Sequence, residues 1–129
     1  MGYCSTVTIY VVEQQDLSIQ QIIRGADAAE IMGQDCYETG INSEGKNVLK
    51  VTYDYVKWYD SYAIVEYWKK VLNSLNPGDY LFTRVGEDNG DIEIDGVYGN
   101  AYEVTSLEYD VDFEQPCFIK NNKNIVCYA

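Results

Sequence analysis

A chain of 129 residues with 21 acidic and 9 basic side chains carries a formal charge of −12, which opposes direct binding to nucleic acid and to anionic membrane surfaces, since both present phosphates. Its 47% apolar and 14% aromatic content excludes a disordered chain. The length fits a single domain, residues 1–129, with a core large enough to fold without disulfides or metals.

Residues 4–13 are rich in β-branched side chains and predict a strand, with Val7, Ile9 and Val11 on one side and Thr6, Thr8, Tyr10 and Val12 on the other. Ser18 with Gln21 fits a capping box that opens a helix. Ile19, Ile22, Ile23 and Ala26 follow helical spacing, and Gly33 is a plausible stop. Gly25 inside that helix costs up to ~1 kcal/mol relative to alanine. Residues 34–46, with Gly40 and Gly45, read as a polar loop. Residues 47–59 predict a long strand with Leu49, Val51, Tyr53 and Tyr55 on one face and Lys50, Thr52 and Asp54 on the other.

Ile64, Val65, Trp68, Val71, Leu72 and Leu75 form one continuous stripe on a second helix, which Asn76-Pro77-Gly78 ends. Strands at 79–86 and 91–98 flank Asn89-Gly90, a strong hairpin signal. A last long strand is expected at 102–114, broken by Pro116, with a turn at 121–124 and a short edge strand at 125–128. The order β-α-β-α-β-β-β predicts an α+β fold: a mostly antiparallel sheet of about five strands with two helices on one face.

The acids are distributed unevenly. Between Arg84 and Lys120 there are ten carboxylates and no cation. Asp91, Glu93 and Asp95 alternate with apolar residues, as do Glu108, Asp110, Asp112 and Glu114, so each set lies on one face of its strand. Carboxylates two residues apart on a strand repeat at roughly 6.6–6.8 Å, about twice the ~3.4 Å rise of a nucleic-acid strand. Such rows, together with Glu87 and Asp88, would suit a basic groove that otherwise takes phosphates. Trp58 and Tyr62 are the candidate aromatic anchors beside them, and Tyr67 also points away from the helical stripe.

Catalytic motifs are sparse. The chain has no histidine, which removes Ser/His/Asp and Cys/His arrangements, and it has no phosphate-binding glycine loop. Asp91-x-Glu93-x-Asp95-Gly96 follows the first half of a calcium loop, but Tyr102 stands where the bidentate Glu belongs. Cys4, Cys36, Cys117 and Cys127 lack C-x-x-C spacing and read as reduced thiols, with a Cys117–Cys127 bridge as the alternative. No cofactor is implied. Neither a signal peptide nor a spanning helix is expected.

Met1-Gly2-Tyr3-x-Ser5, Lys57-Trp58-Tyr59-x-x-Tyr62 and Arg84-Val85-Gly86-Glu87-Asp88 followed by Asp91-Ile92-Glu93 resemble a family of small acidic phage-encoded proteins. Cys4 departs from the family pattern, which has a basic residue there. The resemblance implies action in the cytoplasm of an infected bacterium. It also implies kinship with nucleic-acid mimics that disarm host defence, anti-CRISPR proteins among them. The leading expectation is therefore a non-enzymatic inhibitor that binds a basic nucleic-acid-binding host protein or defence complex. A homodimer is compatible with it. The rival readings are a divalent-metal enzyme using Glu87, Asp88 and Asp91, and a virion structural or assembly protein.

Overall fold

The computed structural model describes residues 2–29, 36–42, 44–98 and the backbone of 119–120. Strand β1 (Ser5–Val12) is β-branched throughout its middle and lies near the centre of the sheet. Helix α1 (Ile19–Ala29) opens on the expected capping box: the Ser18 N–H donates to Gln21 Oε1 at 2.8 Å, and the Gln21 N–H donates to Ser18 Oγ at 3.2 Å. Glu13 adds a carboxylate at the same terminus, accepting from the Ile19 N–H at 3.0 Å.

Strand β2 (Tyr37–Ile41) forms where the sequence predicts a polar loop. It pairs antiparallel with β3 (Asn47–Val56). The turn between them is built by Asn42, whose side-chain oxygen accepts from the Glu44 and Lys46 N–H groups at 2.9 and 3.0 Å, and by Gly45 at φ +77°. Helix α2 (Ala63–Asn73), a short 3-10 turn (Pro77–Asp79), β4 (Tyr80–Gly86) and β5 (Ile92–Gly96) follow. Strand β6 (Ile119–Lys120) pairs with β2. The strands expected at 102–114 and 125–128, Gly33, and the tail cysteines lie outside the described residues.

The sheet order is β5-β4-β1-β3-β2-β6, and every described pair is antiparallel. With β2 in place, β1 to β4 and both helices trace a β-α-β-β-α-β split arrangement of ferredoxin-like order. This is the expected α+β class with one more hairpin. Both helices cover one face. Their Ile22, Ile23, Val65 and Trp68 pack with Val7, Ile9, Val51 and Tyr53 in a single core. The opposite face holds a smaller cluster of Tyr10, Val12, Val48, Leu81 and Tyr98, in which the Tyr10 and Tyr98 ring centroids lie 5.9 Å apart. Topology of this kind hosts many functions and selects none. Among the described residues no helix is long and apolar enough to cross a membrane.

Candidate functional site

The acidic hairpin folds around a cation. In the β4–β5 register Arg84 faces Glu93, and its Nε donates to Glu93 Oε1 at 2.9 Å. The guanidinium also forks onto Asp91, at 2.8 and 3.2 Å, and reaches Ser5 Oγ at 3.0 Å. Its side chain is only 17% exposed. Such a fork is the strong form of a carboxylate contact. Arg84 therefore holds the Asp91 carboxyl below its ordinary range, and the Tyr3 hydroxyl, which donates to Asp91 Oδ2 at 2.6 Å, adds to the effect. Tyr3 in turn accepts from the Asp88 N–H at 2.8 Å. Gly86 makes this packing possible, since a Cβ there would overlap Asp91 and the Tyr3 hydroxyl.

The expected row of uncompensated acids is thus corrected. Asp91, Glu93 and Asp95 do share one face of the ribbon, but Arg84 pairs with the first two and offsets one of their two charges. Asp95 faces Phe82, accepts from the Tyr80 hydroxyl at 3.2 Å and has no ion pair among the described residues. Glu108, Asp110, Asp112 and Glu114 lie outside the described residues.

The open acids gather at the hairpin tip. Glu87 and Asp88 are exposed in the loop that joins the strands. One Glu87 oxygen accepts the Cys4 N–H, and the other accepts the Tyr55 hydroxyl at 3.4 Å. Tyr55 is the unexpected member. Alternation places it on the core face, yet it is 61% exposed. The cause is an irregularity in β3: Val7 faces Tyr53 but Ser5 faces Val56, so Asp54 and Tyr55 together occupy the place opposite Thr6. Tyr55 takes φ 55°, the only positive φ of a non-glycine among the described residues. A bulky residue in that region is strained, and such strain clusters at functional positions. The Glu87 charge, with Cys4 beside it, raises the Tyr55 hydroxyl pKa. Asp54, exposed and accepting from Thr6 Oγ1 at 3.2 Å, completes this end of the sheet.

The expected anchors are partly withdrawn. Trp58 packs against the core, with its ring centroid 5.8 Å from Tyr53 and 6.1 Å from Phe82. Tyr62 lies half-buried against Tyr59, with centroids 5.4 Å apart. Tyr67 is half-buried, and its hydroxyl donates to the Ile22 carbonyl at 2.7 Å. Strand β3 ends at Val56, short of the expected 59, so strand alternation does not set which way Trp58 faces. Glu87, Asp88 and Asp91 do not converge: Asp91 turns to Arg84 while Glu87 turns to Cys4. No three acidic or thiol side chains among the described residues form a metal cage.

The chain matches no protein-family model, no curated protein and no solved structure.

Proposed function

We propose that the chain is a non-enzymatic binding protein that docks the Asp54, Tyr55, Glu87 and Asp88 end of its sheet onto a basic surface of a partner protein. One observation carries this reading: a strained, exposed tyrosine stands beside open carboxylates on a chain of charge −12. A rigid ring next to negative charge suits arginine-rich surfaces, through stacking and cation–π contact on one side and charge-assisted hydrogen bonds on the other. Basic grooves of that kind belong to nucleic-acid-binding proteins, whose phosphate sites the carboxylates would fill. The resemblance to small acidic phage proteins supports a bacterial defence protein as the partner and the host cytoplasm as the compartment. The free thiol of Cys4 suits that reducing setting.

The test uses a fluorescent nine-arginine peptide as a basic probe. Anisotropy should report binding that weakens steeply with added salt, since the screening length falls from about 10 Å at 0.1 M to about 3 Å at 1 M. A Tyr55→Ala, Glu87→Gln, Asp88→Asn variant should bind at least tenfold more weakly. A control that removes two charges elsewhere, Asp16→Asn with Glu66→Gln, should bind nearly as well as the parent. Equal losses in the two variants would mean diffuse attraction rather than a docking end.

A further inference from the structure

Between α2 and β5 lies a groove of about 210 Å³. This is below the roughly 300–1,000 Å³ that holds a drug-sized ligand, and it suits one inserted side chain. Trp58, Phe82 and Leu72 line its apolar part, and Glu93, Asp95 and Lys69 line its polar part. The Trp58 ring is held against Tyr53 and Phe82, so the aromatic wall is fixed before anything enters. The charges do not cancel evenly. Lys69 is tied to Asp60 at 2.7 Å, and Glu93 is tied to Arg84 at 2.9 Å. Asp95 is left as the negative group without an ion pair among the described residues, with Oδ2 fixed by the Tyr80 hydroxyl.

We infer that this groove receives an arginine side chain of the protein partner, its guanidinium stacked on Trp58 and hydrogen-bonded to Asp95. This rests on the reading of the chain as a binder of basic protein surfaces. The charge complementarity selects a cation, and the flat aromatic wall selects a planar one. A guanidinium is planar, stacks on rings and pairs with carboxylates through two parallel donors, whereas an ammonium is a strongly hydrated point charge. The molecule already shows the same chemistry one step along the ribbon, where Arg84 lies across Asp91 and Glu93 on the same strand face. The groove repeats that recognition for a guanidinium from outside.

The chain has two tryptophans, and both line this groove, so intrinsic tryptophan emission reports it selectively. The probes are terminally blocked glycine peptides with one central arginine, lysine or citrulline. The arginine peptide should change the emission saturably at millimolar concentration. The citrulline peptide, equal in shape and uncharged, should leave it flat, and the lysine peptide should bind several-fold more weakly. Asp95→Asn keeps the shape of the side chain and should weaken the arginine peptide roughly tenfold or more, as expected for loss of a charged hydrogen-bond partner. Emission unmoved by the arginine peptide overturns the inference, and so does a response that citrulline, lysine or the Asp95→Asn variant reproduces in full. If the groove fails while the nine-arginine peptide still binds in a salt-dependent way through the hairpin tip, the groove assignment falls and the wider reading stands. If neither peptide binds, both fall.

Discussion

The Tyr67 ring occupies the space that a side chain at Gly25 would need: a Cβ there would overlap the Tyr67 hydroxyl and ring. This contact joins the two helices, and the Tyr67 hydroxyl seals it by donating to the Ile22 carbonyl. Glycine in a helix interior is unfavourable by ~1 kcal/mol relative to alanine, so propensity alone favours Gly25→Ala. Packing reverses the sign. Forcing the half-buried ring aside costs about 1–3 kcal/mol, and the Tyr67 hydroxyl loses its acceptor, the Ile22 carbonyl. Gly25→Ala should therefore lower the urea midpoint, and Tyr67→Ala in the same chain should recover part of the loss. A Gly25→Ala protein more stable than the parent would show that Tyr67 does not rest there.

The same tyrosine sets the alkaline limit. Burial pushes the Tyr67 hydroxyl up to about 12, and burial together with Tyr53 pushes Tyr37 higher still. A raised tyrosine pKa means that the native state keeps its proton while the unfolded chain gives it up near pH 10. Stability is then intact below that pH and drains away as pH rises through about 12. With tyrosinate absorbance and helical dichroism followed together, a late fraction of the thirteen tyrosines should ionise only as helicity is lost. Tyr67→Phe should make the alkaline limb shallower. Complete ionisation ahead of any loss of helicity would contradict the burial of both rings.

Acid acts through Arg84 and Asp91. The Asp91 pKa is lowered, first by Arg84 and then by Tyr3. Its stabilisation is present above the ordinary carboxyl range and is lost as pH falls through that range and below. Asp91→Asn should cost about 1–3 kcal/mol at pH 7, because it leaves a mostly buried guanidinium with one carboxylate, Glu93, and the Ser5 hydroxyl. The difference between variant and parent should shrink steadily towards pH 2. If Arg84→Met and Asp91→Asn are additive in a double-mutant cycle, the pair is not coupled and the hairpin is held by something else.

Much of this architecture is legible in the chain. The α2 stripe, the capping box at Ser18 and the β1 alternation each follow from a local period. Strand β2 is hidden because Tyr37-Glu38-Thr39-Gly40-Ile41 holds a glycine and a carboxylate, and it becomes a strand only through its pairing with β3. The hairpin signal at Asn89-Gly90 is correct in kind but misleading in register. A two-residue turn there would set Arg84 opposite Asp95. The longer loop, with Gly90 at φ +79°, sets it opposite Glu93 instead. That shift decides which acids pair with Arg84 and which acid of the groove is left without an ion pair among the described residues. The exposure of Tyr55 had no signal at all in the alternation, because one bulge reverses the parity of everything after it.

Tyr55 should behave as a residue kept for binding rather than for folding. A non-glycine side chain in the left-handed region costs roughly 1–2 kcal/mol, and glycine adopts the same backbone freely. Against that gain, Tyr55→Gly loses a long, exposed hydrogen bond to Glu87, worth little in water, and admits more freedom to the unfolded chain. The net expectation is an urea midpoint equal to or above that of the parent, together with at least tenfold weaker binding of the nine-arginine peptide. Tyr55→Asn, which tolerates positive φ but has no aromatic ring, should match the glycine variant in binding. The two readouts therefore move in opposite directions only if the ring is held under strain for contact with a partner. A Tyr55→Gly protein that is clearly destabilised would make the bulge a structural feature and remove the anchor from the proposed docking end.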